Sequence, residues 1–379
     1  MIYLDSAATT PIRRKVLETM WPYLTEEFGN ASSHHDKGEA ARRALDEARA
    51  TVAKALGARS SDIVFTSGGT ESDNLAIKGI ALAKPRGRHI VTSEIEHPAV
   101  LESCDYLQRH HGFRITYLPV DGCGVVDASD VEAALSEHTT LVSVMYANNE
   151  VGTVQDISGI AEVTGRFRVP LHTDAVQAMG ALDCNVAKLG VDALSISGHK
   201  LGAPKGVGAL YVRGRFPLEA IVHGGGQEFG RRSGTENVAG AVGLAAALSL
   251  RPSVEESTQL ARRAESFIAK VLSDVPNAVL TGHRTRRLPG IASFCFPGTS
   301  GESVLLQLEE SGITCSSGSA CAAGNDAPSP VLTAMGISAE IAQTAVRFSF
   351  GVETGEDELI SVAESVVGAV ASVRGLATR

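Results

Sequence analysis

A few short stretches carry side chains whose types and spacing could do chemistry. Ser195-Ile196-Ser197-Gly198-His199-Lys200 ends an apolar run, 191–196, in a hydroxyl, a glycine, an imidazole and an amine. A lysine at the polar end of a strand can sit in a dry site. Desolvation there favours the neutral amine, which forms a Schiff base with a carbonyl. Alone, the stretch reads first as a basic loop. Thr66-Ser67-Gly68-Gly69-Thr70-Glu71 follows another apolar run and precedes a helical pattern. Its glycines let backbone approach an anion, the helix start offers free N–H groups, and Thr70 adds a hydroxyl. It lacks the P-loop spacing, and a ligand-free helix cap is the equal alternative. Asp174 in His172-Thr173-Asp174-Ala175-Val176-Gln177 could pair with a protonated ring nitrogen, and Gln177 could reach a ring hydroxyl. A helix-capping aspartate is the alternative. His97 could stack on a ring or be structural. Asn149 could donate to a ring hydroxyl or a substrate carboxylate, or simply shape a turn. In combination, an anion cradle, a carboxylate and a Ser-x-His-Lys follow one another at strand ends. Those are the parts pyridoxal phosphate (PLP) requires, an aldehyde held by lysine and used as an electron sink.

Cys321 lies in Ser316-Ser317-Gly318-Ser319-Ala320-Cys321-Ala322-Ala323-Gly324. A nucleophilic thiol needs access and a fraction of thiolate, and small neighbours favour access. Cys315 ends an expected strand and reads as buried, and the other four cysteines read as structural. No CxxC pair or histidine at metal-ligand spacing accompanies them, so free thiols in a reducing compartment and no metal are expected. Arg347, between apolar neighbours, calls for a carboxylate held by a two-pronged pair; alone, it reads as half of an internal salt bridge.

The elements that would position these groups alternate between 62 and 214. Strand-like runs at 63–66, 90–92, 115–118, 141–146, 171–173, 194–196 and 209–212 are separated by helical patterns at 71–83, 98–111, 128–136, 156–166 and 176–180. This predicts an α/β fold, a mostly parallel sheet with helices on both faces and its site outside the carboxyl ends of the strands. Two helices, 12–24 and 36–56, come first. The glycine-rich loop 223–234 leads into a helical region, 238–273. Beyond it lie strands near 291–296, 313–315 and 345–349, with helices at 301–311, 328–335, 338–343 and 355–373, as in a smaller α+β domain.

The bulk numbers suit a protein of this kind. The chain has 379 residues, 44% hydrophobic and 20% charged, with net charge −9. Without a basic tract, direct nucleic-acid binding is not expected. No apolar run approaches the ~20 residues of a spanning helix, and no secretory leader is visible. A cytoplasmic protein without membrane contact is expected.

The chain closely resembles the NifS/IscS-type cysteine desulfurases, class-V aminotransferase relatives of PLP fold type I. The matching stretches include YLDSAATTP at 3–11, FGNASSHH at 28–35, FTSGGTESDNLAIKG at 65–79, EHPAVL at 96–101, NNEVGTVQ at 148–155, HTDAVQ at 172–177, SGHKLGAPKGVGALYVR at 197–213, GGGQEFGRRSGTEN at 224–237, SSGSAC at 316–321 and RFSFG at 347–351. They span nearly the whole chain in the family's order. The resemblance implies a large PLP-binding domain, 15–250, with a mostly parallel seven-stranded sheet. It implies a small domain from 1–14 and 251–379 that carries the cysteine loop. Lys200 would hold PLP, His97 would stack on its ring, Asp174 would pair with the ring nitrogen and Gln177 with its phenolic oxygen. Gly69, Thr70, Ser197 and His199 would hold the phosphate, joined by Thr235 from the other subunit of a homodimer. Asn149 and Arg347 would hold the carboxylate of L-cysteine. Cys321 would take the sulfur as a persulfide and pass it to an acceptor protein, serving iron–sulfur assembly, tRNA thiolation or DNA phosphorothioation. Another fold type I enzyme, such as an aminotransferase or a selenocysteine lyase, is the nearest alternative. Phe229 stands where some relatives carry a polar or charged residue.

Overall fold

The computed structural model describes residues 1–317 and 327–377. Among the described residues, twelve strands form three sheets: β1 Ile2–Tyr3, β2 Ile63–Thr66, β3 His89–Ser93, β4 Arg114–Leu118, β5 Thr139–Ser143, β6 Leu171–Asp174, β7 Ala193–Ser197, β8 Gly208–Val212, β9 Val279–Leu280, β10 Ile291–Cys295, β11 Ile313–Thr314 and β12 Ala345–Ser349. The large sheet has the order β2-β8-β7-β6-β5-β3-β4. Its pairings are parallel except at β8, which runs antiparallel to both neighbours.

Side chains alternate along these strands and feed two separate cores. Ile63, Phe65, Leu194, Ile196, Ala209 and Tyr211 join one, while Val64, Ala193, Leu210 and Val212 join the other. Both faces of the sheet are therefore covered, as apolar strands without polar alternation require. The long helix α2, Asp36–Leu56 (after α1, Arg14–Thr25), covers one face with Ala41, Leu45, Val52 and Leu56. The helix α3, Gly69–Ala83, covers the other with Leu75, Ile77 and Ile80. α2 ends at Gly57, whose φ of 66° makes the left-handed turn that stops a helix.

A third core gathers Phe267, Phe294, Phe348 and Phe350, their rings meeting edge to face, and takes in Leu4 from the N-terminal segment. It lies against the three-stranded sheet β12-β10-β9. The helices Val254–Asp274, Gly301–Glu310 and Glu356–Ala377 pack apolar residues into it, among them Leu260, Val304, Leu308 and Val362.

Two expectations need correction. Residues 176–180 are turns rather than a helix, because the Asp174 carboxylate accepts the Val176 N–H and folds the chain sharply after β6. The strand expected at 141–146 spans Thr139–Ser143. Beyond it, only alternate N–H groups reach β6, Val144 to the His172 carbonyl and Tyr146 to the Asp174 carbonyl. The helical region 238–273 breaks where a boundary near Pro252 is expected: it is two helices, Val238–Ser249 and Val254–Asp274, the second restarted by a capping box from Ser253 and Glu256.

Candidate active site

The carboxyl edge of the large sheet gathers the candidate groups. β2 leads through Ser67-Gly68 into α3. Gly68 caps that helix without a side chain, so the first-turn N–H groups have no capping side-chain acceptor. The backbone is packed too closely here for larger residues. A Cβ on Gly69 would come within 2.8 Å of Val176 Cγ2, and one on Gly208 within 2.7 Å of Gly68 Cα. Ser197, at the end of β7, lies against the same glycines: Cβ atoms built on Gly68 and Gly69 would stand 3.7 Å from its Oγ and 3.5 Å from its Cβ. Thr70 is exposed beside it. Backbone donors and hydroxyls gather here in an arrangement that could serve as a phosphate pocket.

Asp174, Lys200 and His97 come together from different strand ends. Asp174 ends β6 and is buried, with Oδ1 accepting the Val176 N–H at 2.8 Å. Burial raises its pKa, opposed by that N–H and by the nearby His97 and Lys200. A protonated ring nitrogen would give such a buried carboxylate a cation to pair with directly. His97 caps the helix α4, Pro98–His111, its Nδ1 accepting the Ala99 N–H at 3.1 Å, so the ring is fixed. Burial lowers its pKa, with Asp174 acting upward and Lys200 downward. Lys200 follows β7 in a short turn and is half-buried. His199 beside it is pushed down to about 4 by burial and the lysines at 200 and 205, so its imidazole is neutral.

The N-terminal segment ties these groups together. The Lys200 ammonium donates to the carbonyls of Ala7 and Ala8. Gln177 Nε2 donates to the same Ala7 carbonyl at 2.9 Å, and Thr9 Oγ1 lies 3.2 Å from His199 Nδ1. Asp5 Oδ1 accepts from Arg347 Nη2 at 2.7 Å, and Arg347 Nη1 donates to the Asn149 carbonyl at 2.8 Å. Arg347 is therefore in an internal ion pair, as its sequence context alone suggests, and the same contacts seat it beside Asn149. A cavity of about 460 Å³ opens next to Lys200, Gln177, Ala7 and Ser349. Asp174, His97 and the phosphate pocket are not among its walls, so Lys200 and Gln177 border both regions.

Sequence reasoning assigns no role to Asp5, Ala7, Ala8 or Thr9. Asp5 and Arg347 are complementary lone charges, but 342 residues separate them, and no local spacing announces a pair of that kind. Thr235 lies exposed in the loop after Gly234. Cys321 lies outside the described residues. Of the other cysteines, 104, 184, 295 and 315 have thiols pushed up to between about 11 and about 12, chiefly by burial, and are poor thiolates. Cys315 is half-buried rather than buried. Among the described residues no cluster of His, Cys, Asp and Glu could hold a metal, and no helix is long and apolar enough to cross a membrane.

A helix-sandwiched sheet with a lysine, a buried carboxylate and a glycine turn of free backbone donors at its carboxyl edge defines a PLP enzyme of fold type I. The family model for class-V aminotransferases matches residues 2–362, and the chain belongs to that family. Cysteine desulfurase IscS of Dictyoglomus turgidum is 47% identical over 361 residues, covering 94% of this chain and 91% of the relative. A solved NifS-like protein superposes with a TM-score of 0.89 at 38% identity, over 98% of this chain and 99% of its own. The structure of SspA in complex with cysteine matches with a TM-score of 0.84 at 38% identity, over 94% of this chain and all of the other. The donor set found here fits PLP: an amine, a buried carboxylate, a fixed imidazole and a glycine turn of backbone donors.

Proposed function

We propose that the chain is a cysteine desulfurase that moves the sulfur of L-cysteine onto Cys321 as a persulfide and releases L-alanine. The observation that carries this is the meeting of Lys200, Asp174 and His97 beside the Gly69 pocket. Bound PLP supplies an electron sink at the substrate α-carbon. Gly69, Thr70, Ser197 and His199 would hold its phosphate, joined by Thr235 from the other subunit of a homodimer. Asp174 would pair with the ring nitrogen, Gln177 and Asn149 would meet its ring oxygen, and His97 would stack on the ring.

Lys200 carries the α-proton of the substrate, its amine oriented by the Ala7 and Ala8 carbonyls. Arg347 and Asn149 hold the substrate carboxylate. The Cys321 thiolate forms the S–S bond as the substrate C–S bond breaks. The electron pair of that bond passes to the three-carbon fragment, which is protonated to alanine. An acceptor protein then takes the sulfur, whether for iron–sulfur clusters, tRNA or DNA modification. SspA with bound cysteine and the IscS relatives support this reading. Residues 15–250 form the cofactor domain, and 1–14 with 251–379 the domain that bears Cys321. The protein works in the cytoplasm, where free thiols persist.

The test is Cys321→Ala. Persulfide formation and sulfide release from L-cysteine should vanish while the PLP absorbance remains. Undiminished sulfide release would sink the assignment and favour an enzyme, such as a selenocysteine lyase, that needs no thiol there.

A further inference from the structure

The glycine-rich loop 223–237 is held to its own chain by two charge pairs. Glu228, buried, accepts from Arg49 Nη1 at 2.6 Å, from Arg49 Nη2 at 2.8 Å and from the Phe65 N–H at 2.8 Å. The Arg49 guanidinium lies 4.8 Å from the Phe65 ring centre and 5.1 Å from that of Phe229. This gives Phe229 a role, stacking on the buried cation although it is itself 64% exposed. Glu228 and Phe229 hold φ values of 48° and 60°, which non-glycine residues adopt only when their surroundings insist.

The second pair lies at the phosphate pocket. Arg232 Nε donates to Glu71 Oε1 at 2.8 Å, and Glu71 Oε2 accepts the Ser67 N–H at 2.8 Å. Glu71 follows Thr70 in the first turn of α3. Its carboxylate braces Ser67, yet it also sets a negative charge beside the place a phosphate would occupy. Burial would raise the Glu71 carboxyl, but hydrogen bonds from Arg232 and Ser67 outweigh it and hold the group below its usual range. The charge is present and has to be balanced.

We propose that Arg232 is a positioning residue for the phosphate end of the cofactor site: it fixes and neutralises Glu71, and the Arg49–Glu228 pair holds the loop that delivers it. The inference rests on the phosphate-pocket reading given above. It makes the loop a brace for its own chain's pocket, in addition to any contact Thr235 makes across a dimer.

The experiment is reconstitution of the apoprotein with PLP, and separately with pyridoxal, which lacks the phosphate. Dissociation constants are read from cofactor absorbance for wild type, Arg232→Gln, Glu71→Gln and the double variant. Arg232→Gln should weaken PLP binding roughly tenfold, because it leaves a half-buried carboxylate unpaired near the phosphate. Pyridoxal binding should change by less than about twofold, because without the phosphate there is no anion for Glu71 to repel. Glu71→Gln alone should bind PLP at least as tightly as wild type. The double variant should return to within about threefold of wild type, since the repulsion is gone. A merely structural role for Arg232 would not be rescued by removing Glu71. Unchanged PLP affinity in Arg232→Gln, or a double variant as weak as that single one, overturns the proposal. Wild-type protein that binds pyridoxal as tightly as PLP would instead overturn the phosphate-pocket reading beneath it.

Discussion

Replacing Arg49 by Met tests how the Glu228 loop is secured. Arg49 and Glu228 side chains are 5% and 3% exposed, and both guanidinium Nη atoms engage the carboxylate. Arg49 Nη1 also donates to the Ile63 carbonyl at 2.9 Å, linking α2 to β2. Met fills much of the space but leaves Glu228 with only the Phe65 N–H among these donors. An uncompensated buried charge of this kind costs about 3–5 kcal/mol. Removing the charge as well, in Arg49→Met/Glu228→Gln, should recover at least about half of that loss, because the pair is coupled and not additive. Phe229→Ala should cost only about 0.5–1 kcal/mol, the worth of its contact with the cation. Urea unfolding of the apoprotein, followed by far-UV circular dichroism, measures all three. A loss below about 1 kcal/mol for Arg49→Met would place the pair with weak surface bridges and refute the reasoning. A double variant as unstable as the single would show that packing, not charge, holds the loop.

Lys200→Ala should abolish the internal Schiff-base absorbance and all turnover without loss of helical circular dichroism; an unaltered spectrum would move the Schiff base to Lys205. Glu96 is buried, with Oε1 accepting from Ser93 Oγ and the Met145 N–H, and burial pushes its pKa up to about 8. The folded chain therefore keeps a proton that the unfolded chain gives up near the ordinary glutamate value. Stability is fullest below that value and falls as pH rises toward 8. Glu96→Gln should flatten this decline when urea midpoints are compared at pH 5 and pH 8, and an equal decline in both proteins would contradict it.

The sequence by itself determined the alternation that makes the sheet. Apolar runs such as Ile63–Thr66 and Ala345–Ser349 match observed strands because fully buried strands leave little choice of residue. It also placed Gly69, Asp174 and Lys200 near strand ends, because chain order in a parallel sheet carries successive carboxyl ends to one edge. Boundaries shifted where side chains compete with backbone, as Asp174 does when it takes the Val176 N–H and prevents a helix at 176–180. Only the tertiary structure decided that Asp5 faces Arg347, that Ala7 and Ala8 offer their carbonyls to Lys200, and that Arg232 meets Glu71. These contacts join residues 161 to 342 positions apart. Periodicity and motif spacing report a residue's immediate neighbours. Ion pairs and carbonyl acceptors of this kind exist only once the sheet, the N-terminal segment and the glycine-rich loop have packed.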